Sequence, residues 1–399
     1  MTAHHLEVIE TIAEVIVWIT ALCWAFHSFI VVRGLPRVPD LLLQPNVPLG
    51  LGPDPAPTLT VIVPACNEEA HVAAALLSLI AQDYPNLDIL AINDRSSDQT
   101  GAILDALAAQ HPTRLRVLHI TELPAGWLGK THAMALAARN TTSDYLLFTD
   151  ADVLFTPDAL RRSVSYLVKS GGDHLVTYPS LIIRRWDEAV VLGFIQVSSL
   201  WGARPWRVSD PRARRDAIGV GAFNLVKHSA YEQVGGFEAL RMEVVEDLGL
   251  GRRLKADGFA ARLAFGRGLV NIHWASGALG LAHVLTKNIF SALRFRISLV
   301  LVACLWLLAF CVAPFAALWI ELLRLPALII LLAVTLEYRA MSRQSGIAPW
   351  NALLMPFGAL LLVYALLRSM LVTLVQGGIR WRGTFYPLSE LRRNSAPVK

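Results

Sequence analysis

Asp150 and Asp152 stand one residue apart, and two carboxylates that close repel each other unless a cation is shared between them. Hard oxygen ligands of this kind suit Mg²⁺ or Mn²⁺. Glu246-Asp247 is a second acidic pair. It reads either as a helix start whose acids complement the dipole or, beside a metal, as the source of a general base. Asp94 sits in the cluster Asn93-Asp94-Arg95-Ser96-Ser97-Asp98, directly after the apolar run 87–92. Helix capping by Asp98 or Ser97 explains part of that cluster. A carboxylate at a strand end can also accept from a ligand hydroxyl or imide N–H. Pro64-Ala65-Cys66-Asn67-Glu68-Glu69 forms a turn after another apolar run. Either it leads into a helix whose free N–H groups favour an anion or a polar ring edge, or Asn67 simply caps that helix.

Such residues act together only if the fold brings them to one place. Residues 59–63 form a continuous apolar run suited to a strand buried on both faces, and 87–92, 115–120 and 145–149 read as further strands. Helices fit between them: one carrying Val72, Leu76, Leu79 and Ile80 on a single stripe, then 98–109 and 130–139. Another comes after Thr156-Pro157, with Thr156 as cap and Pro157 in the first turn. Residues 244–254 form a later helix. Alternating strands and helices predict an α/β domain around a mostly parallel, Rossmann-like sheet. Such sheets bind ligands at the carboxyl ends of their strands, where Asp94 and the Asp150–Asp152 pair fall.

The chain has 399 residues, of which 54% are hydrophobic and 17% charged, which excludes a disordered protein and points to a membrane-attached one. Residues 11–32 are long enough to cross a bilayer. Glu7, Glu10 and Glu14 precede them and Arg33 and Arg37 come after, the reverse of a secretory signal, so the segment is retained and the chain beyond Arg37 is cytoplasmic. Residues 298–320, the shorter 326–337 and the long 349–376 are further apolar segments, the last interrupted by Arg368. Arg339 and Arg343 pull one loop inward, while Arg380, Arg382, Arg392, Arg393 and Lys399 pull the tail inward. Both cannot hold if each segment crosses once, and the conflict is resolved toward a cytoplasmic tail with 326–337 re-entrant or tilted. The net charge of +5 has no domain-wide basic run behind it, so nucleic acid is not an expected partner. Cys23, Cys66, Cys304 and Cys311 include no CxxC pair, which argues against a zinc site or disulfide framework and suits a reducing cytosol.

The motifs VIVPACNEE (61–69), INDRSSDQT (92–100), GWLGKTHAMALAA (126–138), FTDADV (148–153), GGF (235–237) and VEDLGLGRRLKADG (245–258) together resemble a membrane-bound family 2 glycosyltransferase with a GT-A catalytic domain, over about residues 58–296. The resemblance implies a hexosyltransferase using a nucleotide-sugar donor, expected to be UDP-linked. It places the backbone around Pro64 and Cys66, with Glu68, against base and ribose, and Asp94 on the base. Asp150 would contact the ribose side and share the metal site with Asp152, whose Mg²⁺ or Mn²⁺ bridges the two phosphates. Lys130 would be a counter-charge near the nucleotide and Asp247 the catalytic base of an inverting displacement.

The Gln-x-x-Arg-Trp motif of processive synthases is absent, and Trp274-Ala275-Ser276-Gly277 stands in its place. That favours transfer of one or a few sugars to a membrane lipid of terpenoid, sphingolipid or glycerolipid type. The alternatives are a processive polysaccharide synthase and a non-catalytic membrane scaffold that retains the fold. The basic loop 201–216, with Trp201 and Trp206, is either solvated or laid on anionic headgroups. The expected organisation is an N-terminal membrane anchor (1–37), a cytoplasmic catalytic domain (38–274), an interfacial amphipathic helix (275–297), a C-terminal membrane region (298–376) and a basic tail (377–399). A bacterial inner membrane is the expected location.

Overall fold

The computed structural model describes residues 3–45 and 56–394; Lys399 of the basic tail lies outside them. In chain order the elements begin with α1 (Ala3–Gly34), β1 (Leu59–Ala65), α2 (Val72–Ile80), β2 (Leu87–Asp94), α3 (Thr100–Gln110), β3 (Leu115–Ile120), α4 (Gly129–Arg139), β4 (Tyr145–Phe148) and β5 (Leu154–Phe155). They continue with α5 (Ala159–Lys169), β6 (His174–Leu181), α6 (Trp186–Ser199), β7 (Asn224–Lys227), α7 (His228–Gln233), α8 (Glu246–Ala256) and β8 (Ala261–Ile272). The last are α9 (Gly277–Ala292), α10 (Ile297–Leu307), α11 (Ala313–Ala317), α12 (Arg324–Ser345), α13 (Met355–Gln376), β9 (Gly378–Trp381), β10 (Thr384–Pro387) and α14 (Leu388–Asn394).

These form two compact units, both discontinuous in sequence. One comprises Val38–Ile182, Pro205–Trp274 and Gly377–Lys399; the other Met1–Arg37, Ile183–Arg204 and Ala275–Gln376. The helix α6 thus groups with the apolar helices and the tail with the sheet, an arrangement that consecutive segments do not describe.

The first unit holds an eight-stranded sheet of order β3-β2-β1-β4-β7-β6-β8-β5. β3, β2, β1 and β4 run parallel, β7 is antiparallel to both β4 and β6, and β8 returns parallel to β6. Because successive strand residues point to opposite faces, Val61 and Val63 pack with Leu76, Leu79, Leu160 and Val164 on one side. Ile62 and Phe148 pack with Met134, Phe237, Leu250 and Leu254 on the other. The continuous apolar run of β1 is what burial on both faces requires. Register aligns Ala65 with Asn93 and Ile62 with Phe148, so the turns after β1, β2 and β4 share one edge.

Local signals differ in detail from expectation. α5 begins at Ala159 with Asp158 at the N-cap position, and Thr156 instead donates its hydroxyl to Asp158 Oδ1 at 3.1 Å. Asn67 does not cap α2: with φ of +55° its Oδ1 accepts from the Ser97 N–H at 2.8 Å, tying the loops after β1 and β2 together. Asp98 does serve its helix, accepting from the Thr100 N–H at 3.0 Å. In the basic loop, Arg207 pairs with Asp210 at 3.2 Å, so part of its charge is already balanced within the unit.

The second unit is helical, and three of its helical segments, Glu10–Arg37, Ile297–Ala317 and Pro349–Gln376, are long and apolar enough to cross a membrane. α1 and α12 lie side by side: His27 Nδ1 is 2.8 Å from Glu337 Oε1, and Ser28 donates to the Ala333 carbonyl at 3.1 Å. Trp24 Nε1 donates to the Phe310 carbonyl at 3.0 Å, and Trp201 meets Trp24 edge-on and stacks on His27. α13 packs on α6 and α9; Gly358 lets the Phe194 side chain approach, because a Cβ there would lie 2.4 Å from Phe194 Cβ. Arg368 of α13 donates to Thr286 Oγ1 of α9 at 2.5 Å.

Candidate active site

Asp150 and Asp152 come after β4, Cys66 and Glu68 after β1, and Asp94 ends β2, so the shared sheet edge brings the expected residues into one region. Helix α4 supplies Lys130 in its first turn. Its ammonium lies 2.6 Å from Asp150 Oδ1 and 2.7 Å from Glu246 Oε1. One lysine therefore bridges the acidic residue after β4 and the first residue of α8. Burial alone would strip the ammonium of its proton, but the two carboxylates outweigh that and hold it above the usual lysine range.

Asp247 is adjacent, half-buried in a narrow cleft that Lys130, Met134, Phe148, Asn224 and Phe237 also line. Burial, reinforced by the Glu246 charge and opposed by Lys130, pushes its carboxyl up to about 6. Asp152 is likewise raised to about 6, by burial and then by the charges of Asp150 and Glu68. Its Oδ1 is buried without a hydrogen-bond partner. Among the described residues no cluster of three His, Cys, Asp or Glu side chains suits a metal. An orphaned hard oxygen next to acidic neighbours nonetheless fits one protein ligand of a Mg²⁺ or Mn²⁺, which commonly takes one or two carboxylates and completes its shell with substrate phosphates and water. Asp150, expected to share that ion, has its Oδ1 on Lys130.

Asp94, expected on the base, is held by its neighbour: Arg95 Nε lies 2.8 Å from Oδ1 and Nη2 lies 3.1 Å from Oδ2. Arg95 itself has a left-handed backbone, with φ of +57°. Glycine at 129 lets the start of α4 press on this pair, since a Cβ there would meet Asp94 Oδ2 at 2.3 Å. Cys66 is buried beside it; burial pushes its thiol up, with the Arg382 guanidinium opposing. Pro64 lies in β1.

Several residues of the site are not visible in the motifs alone. Glu246, expected to be paired with its successor's role or to decorate a helix start, is the second anchor of Lys130. Gly219 and Gly221 bring the loop before β7 against Asp247 and Asp150: added Cβ atoms would lie 2.0 Å from the Asp247 carbonyl carbon and 2.7 Å from Asp150 Oδ2. From the tail, Arg382 reaches Glu68 and Thr384 reaches Arg95. The signal that was available for the tail is Arg382-Gly383, a turn pair between two short strands.

The arrangement defines an α/β domain with Asp94, Asp150 and Asp152 at the carboxyl edge of its parallel strands. Comparison with known proteins narrows this: the model of the family described as "Glycosyl transferase family 2" matches residues 60–248. The matched segment, just under half of the chain, begins in β1, contains β2, β3 and β4 and ends in α8. A similar relative is 4,4'-diaponeurosporenoate glycosyltransferase from Staphylococcus aureus (strain USA300), 29% identical over 199 residues, which cover 48% of this chain and 50% of that protein. The chain thus spans about half the length of the curated relatives it matches. Among solved structures it resembles the mannosyltransferase PcManGT from Pyrobaculum calidifontis, in complex with GDP-Man and Mn²⁺, with TM-score 0.49, 17% identity and 88% and 98% of the two chains covered. It also resembles S. aureus TarS 1-349, with TM-score 0.41, 14% identity and 82% and 95% covered.

Proposed function

We propose that the chain transfers a single sugar from a nucleotide-sugar donor to a membrane lipid, with inversion at the anomeric carbon. The observation that carries this is Lys130, which joins Asp150 to Glu246 at a cleft that Glu246 and Asp247 line, with Asp152 within reach of the Asp150 charge. The relative's name gives 4,4'-diaponeurosporenoate as its substrate, which supports an apolar acceptor here. The apolar helices of the second unit support an acceptor drawn from the bilayer.

In this mechanism the turn 64–69 and Asp94 cradle base and ribose, the latter once Arg95 gives up its hold. Asp152, with Asp150 where the ribose side meets the diphosphate, would hold the Mg²⁺ or Mn²⁺. That ion supplies charge neutralisation on the leaving diphosphate. Lys130 holds Asp150 and Glu246 together and adds a fixed positive charge. Asp247, ionised above its raised value, removes the proton from the acceptor hydroxyl as that oxygen attacks opposite the diphosphate. The sheet-bearing unit would face the cytoplasm of a bacterial inner membrane, where Arg33 and Arg37 orient the first span.

The test is to incubate the purified protein with radiolabelled UDP- and GDP-linked sugars and total membrane lipid, with Mn²⁺ or with chelator. Label should enter an organic-soluble product only with the ion, and the product should have the anomeric configuration opposite to the donor's. No lipid-soluble label from any donor would overturn the reading. Asp152→Asn should in addition bind Mn²⁺ at least tenfold more weakly in a titration monitored through the ion's own paramagnetic signal.

A further inference from the structure

The tail returns to the sheet-bearing unit as a two-stranded hairpin, and the basis for this is local. β9 and β10 pair Trp381 with Thr384, leaving Arg382-Gly383 as a two-residue turn. Their φ values are +48° and +81°, both positive, as the tight turn favoured by right-twisted strands requires. Gly383 meets that at no steric cost, whereas Arg382 bears some strain. The turn therefore holds an arginine at its tip in a fixed direction.

Three contacts seat this hairpin on the proposed donor pocket. Arg382 Nη2 lies 2.7 Å from Glu68 Oε1, with both side chains half-buried. Arg95 Nη1 donates to Thr384 Oγ1 at 3.2 Å while the same guanidinium holds Asp94. The Gly129 N–H, at the start of the helix that carries Lys130, donates to Tyr386 Oη at 3.2 Å. The Glu68 charge is also felt at Asp152, so the partner of the tip arginine is near enough to act on the candidate metal ligand.

We propose that Arg382 is a donor-positioning residue: when a nucleotide-sugar enters, its guanidinium exchanges the Glu68 carboxylate for the diphosphate, and the C-terminal hairpin becomes a wall of the nucleotide pocket. This rests on the nucleotide-sugar donor of the proposed function. A guanidinium presents a planar fork that matches phosphate oxygens in two hydrogen bonds, and a diphosphate offers it more negative charge than a single carboxylate. The Glu68 carboxylate left behind can accept from ribose hydroxyls, so neither partner is stranded in a partly buried site. No bond is made or broken in the exchange.

The experiment uses the full chain in detergent and titrates UDP, GDP, uridine and guanosine by calorimetry, with melting temperature recorded for every variant. Arg382→Gln should weaken the diphosphate that the wild type binds by roughly 10- to 100-fold, the worth of a charge-assisted fork, while its nucleoside stays within about twofold. Arg382→Lys keeps the charge but not the fork and should fall between; its diphosphate-to-nucleoside ratio decides the matter if the Gln variant does not fold. Arg380→Gln, exposed on the same hairpin, should match the wild type. Equal loss for diphosphate and nucleoside, or loss for neither, overturns the proposal while leaving the donor reading intact. A wild type that binds none of the four overturns the donor reading, and the proposal falls with it.

Discussion

Asp247 combines two properties that only its surroundings supply: a position beside the Lys130–Glu246 pair and a carboxyl pushed up to about 6 by burial. A base is competent only when ionised, so turnover should fall about tenfold per pH unit below roughly 6 and level off above it. The same shift sets a stability term of defined sign. The folded state holds this proton more tightly than the unfolded chain, whose reference value is 3.8, so the contribution is present below that value and lost as pH rises through about 6. Asp247→Asn should remove both pH limbs. It should cut turnover by ~10²–10⁴ while donor affinity stays near wild type, since the amide fills the same volume. Turnover, donor affinity and melting temperature measured on one preparation check this, and turnover within about threefold of wild type would remove Asp247 from the mechanism. The neighbouring Glu246 shows the limit of a motif read by itself: the pair is legible as acidic, but which member faces Lys130 depends on how α8 is set against α4.

At the scale of elements, α8 is set by glycines. A Cβ on Gly251 would lie 1.9 Å from the Ile218 carbonyl oxygen, a backbone atom that cannot swing away, and Gly219 in the same loop meets the Asp247 backbone in return. On an isolated helix Gly→Ala gains ~1 kcal/mol. Here the clash reverses the sign, and Gly251→Ala should cost about 1–3 kcal/mol and displace the loop that rests on Asp150. Gly249→Ala is the comparison, because its nearest neighbour at 3.1 Å is the mobile end of Leu240. Thermal melts should show Gly251→Ala several degrees below Gly249→Ala, and equal melting temperatures would dismiss this account of α8. The strands were legible from sequence because burial on both faces leaves unbroken apolar runs at 59–63 and 87–92, and their ends then located Asp94 and Asp150. The loop 219–224 and the hairpin at 378–387 were not, because each is placed by contacts far away in the chain, such as Arg382 with Glu68. Composition at 380–386 favours a membrane-edge anchor over a segment that closes on the site. The cap of α5 missed Thr156 for a smaller reason, since the helix starts two residues later and that hydroxyl is spent on Asp158.

At the scale of the molecule, the charge conflict between Arg339 with Arg343 and the basic tail has a physical resolution within the helical unit. α12 runs in the same direction as α1: Leu323 and Ala327 cluster with Val17, and Ala333 and Glu337 contact Ser28 and His27. From Val17 to Arg33 is about 24 Å at 1.5 Å per residue, most of a bilayer's ~30 Å core. If α1 ends in the cytoplasm, α12 ends there too, carrying Arg339 and Arg343 inward. On the same condition α10 and α11 would carry the chain to the far side, where the turn presents exposed Trp319 with Glu321 and Arg324, groups suited to the headgroup layer. On that condition α13, which is long and apolar enough to cross but packs on α6 and α9 with Arg368 bonded to Thr286, would lie along the interface instead. Cysteines placed at 319, 345 and 392, in a background lacking the native four, separate the possibilities. An impermeant maleimide added to intact cells should label position 319 alone, with 345 and 392 reacting only after permeabilisation. Rapid labelling at 392 in intact cells would mean that α13 does cross, and labelling at 345 would reverse the direction assigned to α12.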